Sequence, residues 1–315
     1  MSPFASVRQA LTAAARRSMA DDTGEPSTPV LSSSRGRRRK IAVILAACLL
    51  GVMILAAVLA PLITWHDPLD TDVVERLHPP AWSADGQLTN LLGTDSVGRD
   101  LFTRILYGIR SSLVIGFAAM LVGGGVGVTA GILSGYYDGR IAAFVFGRVA
   151  DVQQAIPFVV LALAVAASVG ASFRNLILIL GVGSWLFYFR IVRGEVLSIR
   201  EENYIDAANA IGASNPRILL RHLLPNVFPS IIVIVTLFVP RLIMFSAALS
   251  FLGLGVQPPN PELGLMISEG RELMQQAWWL TVLPGVALAL IVLAMNTLGD
   301  WLRDQLDPTQ RIRAS

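Results

Sequence analysis

The sequence has one cysteine and three histidines in 315 residues, and its lone lysine is Lys40. Cys48 therefore has no partner for an intramolecular disulfide, and no cysteine metal site can form. His66, His78 and His222 fall in separate segments with no metal-ligand spacing. A phosphate-cradling loop needs a lysine after its glycines, but Lys40 lies in the basic run "RGRRRK". No G-x-S-x-G nucleophile turn is present either. These absences remove the common devices of metal, nucleotide and acyl-transfer chemistry. The chain reads as a non-enzyme with no cofactor bound directly.

Charge is scarce as well. Charged residues make up 15% of the chain, against about 25% in soluble domains. Hydrophobic residues make up 54%, and the mean hydropathy is +0.61. The short alternating segments of a membrane barrel are missing, and the apolar residues come in long continuous blocks. That pattern predicts an all-α integral membrane protein. A spanning helix needs about 20 mostly apolar residues. Six stretches meet or approach this: Ile41–Thr64, Ser111–Gly135, Val152–Gly170, Leu176–Val196, Val227–Leu254 and Trp279–Leu298. The third and fourth carry polar residues at their ends.

Basic residues in short flanks set orientation. Residues 1–40 hold seven arginines and Lys40 against three acids, and residues 65–110 hold seven acids against four arginines. The expected organisation follows. Residues 1–40 form a disordered basic cytoplasmic tail, and 41–64 the first span. Residues 65–110 form an extracytoplasmic loop with an amphipathic helix. A transmembrane core covers 111–300, with a cytoplasmic loop at 197–226, and 301–315 is a cytoplasmic tail. Both termini then lie in the cytoplasm of a multi-pass protein of the cell membrane. The region before the first apolar block is too long for a cleaved signal peptide. Beside a span, "RGRRRK" suits anionic lipid headgroups rather than nucleic acid.

Several local expectations can be set down. Asp95 or Ser96 caps a helix from near Val97, with Leu101, Ile105 and Ile109 on one face. Gly123, Gly127, Gly131 and Gly135 recur every fourth residue, so a neighbouring helix can approach closely. Arg148 and Asp151 are spaced to pair. Arg190 and Arg193 read as boundary residues that reach the headgroups. Arg241 falls within an apolar stretch, where a lipid-facing arginine costs at least about 2.5 kcal/mol. It therefore faces a partner helix or an aqueous path. Trp278 and Trp279 read as an interfacial anchor.

The stretch "DAANAIGASNPRILLRHLLPNVFPS", residues 206–230, is unlike the rest. It links two apolar blocks, yet its first half is mostly Ala, Gly, Asn and Ser. With Asn203 as cap, a helix here would set Ala207, Ala210 and Ile211 on one side. Such a smooth surface lets another protein approach closely. Gly in a helix costs about 1 kcal/mol relative to Ala, so Gly212 fits a turn better.

At these residues the sequence resembles a known family. Asp206-Ala207-Ala208, Gly212 and Leu224-Pro225 are similar to the "EAA" signature of permease subunits of bacterial ATP-binding-cassette (ABC) importers. Asp206 stands for the usual Glu, and His222 for the usual Ile. "LLGTDSVGRDLFTRILYGIRSSL", "LSFLGLGVQPPNPELG" and "NTLGDWLRDQLDP" resemble the dipeptide, oligopeptide and nickel branch, and its C-type permease in particular. The resemblance implies a type I importer permease of the MetI-like fold. It implies a second homologous permease, two ATP-binding subunits that carry the ATP, and an extracytoplasmic substrate-binding protein as partners. The stretch 206–230 would be the coupling helix, with Asp206, Ala207, Ala208, Gly212, Leu224 and Pro225 as its coupling residues. Peptides are the leading substrate, with nickel, metal chelates or other small solutes as alternatives. Relatives often carry an acid before "LSFLGLG", where this chain has Ser246. Arg241 and Ser246 are thus candidate path positions. A secondary transporter is the rival reading and would show interrupted spans or inverted repeats.

Overall fold

The computed structural model of the chain describes residues 32–139 and 141–306. Packing divides the chain into residues 1–41 and 42–315. In the first unit the described residues are helical from Ser32, so 32–40, expected in the tail, belong to a helix. The expected tail residues 1–31 and 307–315 lie outside the described residues.

The second unit is helical among its described residues, with a single isolated bridge between Thr94 and Asp100. In chain order the helices are α1 (Ser32–Val58), α2 (Ala60–Ile63), α3 (Leu101–Tyr136), α4 (Ile141–Gln154), α5 (Phe158–Val169) and α6 (Phe173–Arg200). After them come α7 (Asn203–Ala210), α8 (Asn215–Ile218), α9 (Leu224–Phe251), α10 (Leu263–Arg271) and α11 (Trp279–Leu306). Five helical segments are long and apolar enough to cross a membrane, or six if a bent pair counts as one span. That pair is Ala143–Gln154 with Phe158–Val169, which meet at 90°. The expected third span is therefore broken. Pro157 explains the break, because proline disfavours helical backbone at the residue before it, here Ile156.

The most extensive helix pairing is α3 against α6, and the glycine stripe makes it. A Cβ at Gly127 would lie 2.3 Å from the Trp185 carbonyl oxygen. A Cβ at Gly123 would meet the Gly181 carbonyl oxygen at 2.5 Å. Only glycine lets the two backbones come this close.

One end of the bundle is rich in loops, residues 59–100 and 252–278. Here α3 begins at Leu101, and its cap is Asp100, whose carboxylate accepts from the Thr103 N–H. The expected cap, Asp95, holds a tight turn instead. Its Oδ1 accepts from the Val97 and Arg99 N–H groups, at 2.9 and 3.0 Å. Leu101, Ile105 and Ile109 are buried in a core with Leu263, Met266, Trp279 and Ile291. The first turns of α3 are therefore core, not an interfacial helix. The tryptophans also divide. Trp278 is exposed, while Trp279 is buried and donates its indole N–H to the Thr94 carbonyl, 3.2 Å away.

Candidate interaction surface and path

The loop-rich end holds a buried charge cluster. The Arg99 Nε lies 2.6 Å from Asp95 Oδ2, and the Arg104 Nε lies 3.4 Å from the same oxygen. Arg104, only 1% exposed, also reaches Glu269 of α10 at 3.2 Å. Its Nη1 donates to the carbonyls of Pro68 and Pro259, each 3.4 Å away. One side chain thus ties α3 to both loop segments and to α10. Nearby, Glu262 is fully buried and caps α10, accepting from the Leu265 N–H at 2.9 Å and from the Ser112 hydroxyl at 3.3 Å. Burial pushes its carboxyl above the ordinary carboxylate range, and these hydrogen bonds only partly oppose that.

The opposite end, residues 201–228, carries a run of mostly small residues at 206–214. The short helix α7 starts at Asn203, so Asn203 is its first residue. The capping position is Glu202, which makes no side-chain cap. Ile205 and Ala208 point inward and are buried with Val192 and Val196 of α6, Leu223, and Val227 of α9. The other side of α7 is open, with Asp206, Ala207 and Ala210 exposed. Ile211 follows at 85% exposure. Gly212 has φ +79, a backbone conformation that side chains resist, and a Cβ there would have open space within 4 Å. The helix ends on this turn, with the Gly212 N–H bonded to the Asn209 carbonyl and the Ala213 N–H to the Ala208 carbonyl.

Two further links hold the loop in place. The Tyr136 hydroxyl at the end of α3 donates to Asn215, 2.9 Å away. Asn226 donates to the Tyr204 hydroxyl at 3.1 Å and to the His222 carbonyl at 2.6 Å. Residues Leu219–Leu223 form a wider π-type turn before α9. Pro225 lacks the N–H that would bond the Arg221 carbonyl, which favours this loosened turn. Leu224 is half-buried and Pro225 exposed. Of the candidate coupling residues, then, Asp206, Ala207, Gly212 and Pro225 are on the surface. Ala208 and Leu224 lie beneath or at its edge.

The charges placed at the membrane boundaries find partners that spacing did not reveal. Asp151 pairs with Arg190 at 3.0 Å rather than with Arg148. The Arg148 guanidinium lies over the Phe144 ring. Arg193 pairs with Asp138 at 2.9 Å. Arg241 is exposed, with its guanidinium 4.9 Å from the centre of the Phe238 ring. Ser246 is fully buried, and its hydroxyl has no hydrogen-bond partner among the described residues. Glu195 accepts from the Ser230 hydroxyl at 2.6 Å, a pairing that sequence reading missed because 35 residues separate the two. Glu262 was missed as well, because Glu is not a favoured N-cap residue and no capping box marks this helix start. Among the described residues no group of acids, histidines or cysteines could hold a metal ion.

Comparison with known proteins bears on this arrangement. Residues 127–312 match the family described as "Binding-protein-dependent transport system inner membrane component". Residues 34–80 match the "N-terminal TM domain of oligopeptide transport permease C". The dipeptide transport system permease protein DppC of Alkalihalophilus pseudofirmus is 40% identical over 275 residues, covering 87% of this chain and 88% of that protein. The glutathione transport system permease protein GsiD of Pectobacterium atrosepticum is 44% identical over 217 residues, covering 69% of this chain and 72% of that protein. Among solved structures, a chain from the inward-facing MetNI methionine ABC transporter superposes with a TM-score of 0.54 at 22% identity. The match covers 66% of this chain and 98% of that one, and it is a likeness of fold. With its membrane-spanning helices and these matches, the chain belongs to the family of inner membrane permease components of binding-protein-dependent transport systems.

Proposed function

We propose that this permease is half of the translocation path of an ATP-driven importer of di- or oligopeptides. It has no catalytic role of its own and binds no cofactor; ATP is bound and hydrolysed by two partner subunits. A second, homologous permease and an extracytoplasmic binding protein complete the complex. The observation that carries the reading is the small-residue end. There, the exposed side of α7 that carries Asp206, Ala207 and Ala210 is rooted by Ile205 and Ala208 in the packing of α6 and α9. A partner pressing on that surface would move both membrane helices together. The names of the relatives support peptides over metal chelates or other small solutes. On this reading the 197–226 loop faces the cytoplasm, as do both termini, and Arg241 lines the path. Ser246 is buried in this conformation and would line the path only after a rearrangement of α9.

A secondary transporter would also contain broken helices. One bent pair occurs among the described residues, whereas that class places them in corresponding positions of two halves. Purifying the tagged chain from membranes decides the matter. Copurifying ATPase subunits, with uptake that requires ATP, are expected. Purification without an ATPase, or uptake driven by an ion gradient alone, would overturn the reading. Orientation is checked by impermeant labelling of single cysteines at Ser83 and Ser315 in a chain lacking Cys48. Ser83 should label on intact cells and Ser315 should not.

A further inference from the structure

One side of α9 is partly covered over its first turns and open further along. With 3.6 residues per turn, Ser230, Leu237, Arg241, Met244 and Ala248 fall in one stripe. The half nearer α7 walls a groove of about 420 Å³, shared with Ile191 of α6 and with Arg303 and Leu306 of α11. The other half is open: Arg241, Met244 and Ala248 are exposed. The remaining sides of α9 are occupied. Val239 and Ile243 meet α3 at Gly116, and Ala247 meets α10 at Gly264. Phe238 packs on Phe187 and Tyr188, and Phe245 on Phe158.

Arg241 is the charged group on this stripe that lies well inside the span. Among the described residues it has no ion-pair partner, only the ring of Phe238 beneath it. A guanidinium laid over a ring keeps its N–H edge free. It is permanently charged, and facing lipid near mid-span would cost it at least about 2.5 kcal/mol. This side of α9 therefore meets water, a ligand or a partner helix. A planar fork of donors about one turn from Leu237 and Phe238 of the groove, whose lining is apolar apart from Ser230 and Arg303, matches one carboxylate attached to variable side chains.

We propose that Arg241 binds the C-terminal carboxylate of the peptide as it passes along α9, and so selects peptides with a free carboxylate against cationic solutes. The inference rests on the peptide-importer reading. The test uses the complete transporter reconstituted in vesicles, with radiolabelled alanyl-alanine as probe. Uptake and ATP hydrolysis are measured together for the wild type, Arg241→Gln and Arg241→Lys. Arg241→Gln should deliver at least about tenfold less peptide per ATP hydrolysed, the effect of losing one charge-assisted contact. Arg241→Lys should restore part of the delivery. Unchanged delivery in Arg241→Gln overturns the inference, as does a Lys variant no better than Gln. Failure of the Gln variant to assemble also overturns it, because Arg241 would then be pairing with a partner subunit. If the wild-type complex takes up no dipeptide, the importer reading itself fails.

Discussion

The two ends of the bundle solve opposite problems. The loop-rich end is closed by buried charge: Arg104 reaches Asp95, Glu269 and two backbone carbonyls, and Glu262 is wholly enclosed. The small-residue end leaves Ala207, Ala210, Ile211 and Gly212 uncovered and keeps its packing beneath them. The difference separates two tasks. Paired buried charges fix geometry, because breaking such a pair leaves a charge uncompensated in the interior. An open surface of small residues adds little to stability and leaves room for a partner. Substitutions at the first end should therefore act on stability, and those at the second on coupling.

The largest loss is expected from Asp95→Ala. It leaves Arg99 and Arg104 with Glu269 as their one remaining acid among the described residues and removes the turn bonds to Val97 and Arg99. Breaking a buried pair in this way costs about 3–5 kcal/mol, and thermal unfolding of the purified chain in detergent should show it. Retention of wild-type heat stability would mean that the cluster is solvated.

Gly127→Leu comes next, placing a side chain where even a Cβ would meet the Trp185 carbonyl at 2.3 Å. Overpacking of this kind costs about 1–3 kcal/mol or more. Lower yield and a lower Tm are expected, whereas Gly125→Leu should be tolerated, since nothing lies within 4 Å of a Cβ there.

Glu262 separates hydrogen bonding from charge. Glu262→Ala leaves the Leu265 N–H and Ser112 unpaired, at about 1–3 kcal/mol. Glu262→Gln keeps an acceptor and should cost less. Because burial raises the Glu262 pKa in the folded chain, the folded state favours the protonated form. The wild type then loses stability relative to Glu262→Gln as pH rises from the ordinary carboxylate range through that raised value. Melting curves over a pH series check the sign. A wild type that gains on the Gln variant with rising pH would contradict it.

Parts of this division are legible in the sequence. The glycines of α3 recur every fourth residue, and that period alone predicts a close helix neighbour, which proves to be α6. The small-residue helix is legible because Ala and Gly are conspicuous between apolar blocks. The loop-rich end is far less so. Asp95 and Asp100 are both good caps, and only the turn closed by the Thr94–Asp100 bridge assigns the role to Asp100. Asp151 is separated from Arg190 by 39 residues, so local spacing favoured Arg148 instead. Trp279 looked like Trp278 until tertiary packing buried one of them. Where the determining contact is local and periodic, the sequence discloses it. Where it joins distant loops, it does not.

The smallest expected effect on stability is also the most direct test of the account. Ala207→Trp places a large side chain on the exposed side of α7, in helical backbone and without the strain that any substitution at Gly212 would add. The chain should keep its yield, and its stability should stay within about 0.5 kcal/mol of the wild type, as with surface substitutions generally. ATPase subunits should no longer copurify, and transport should stop. ATPase subunits retained at wild-type stoichiometry, with substrate-stimulated hydrolysis intact, would contradict the assignment of this end as the docking surface.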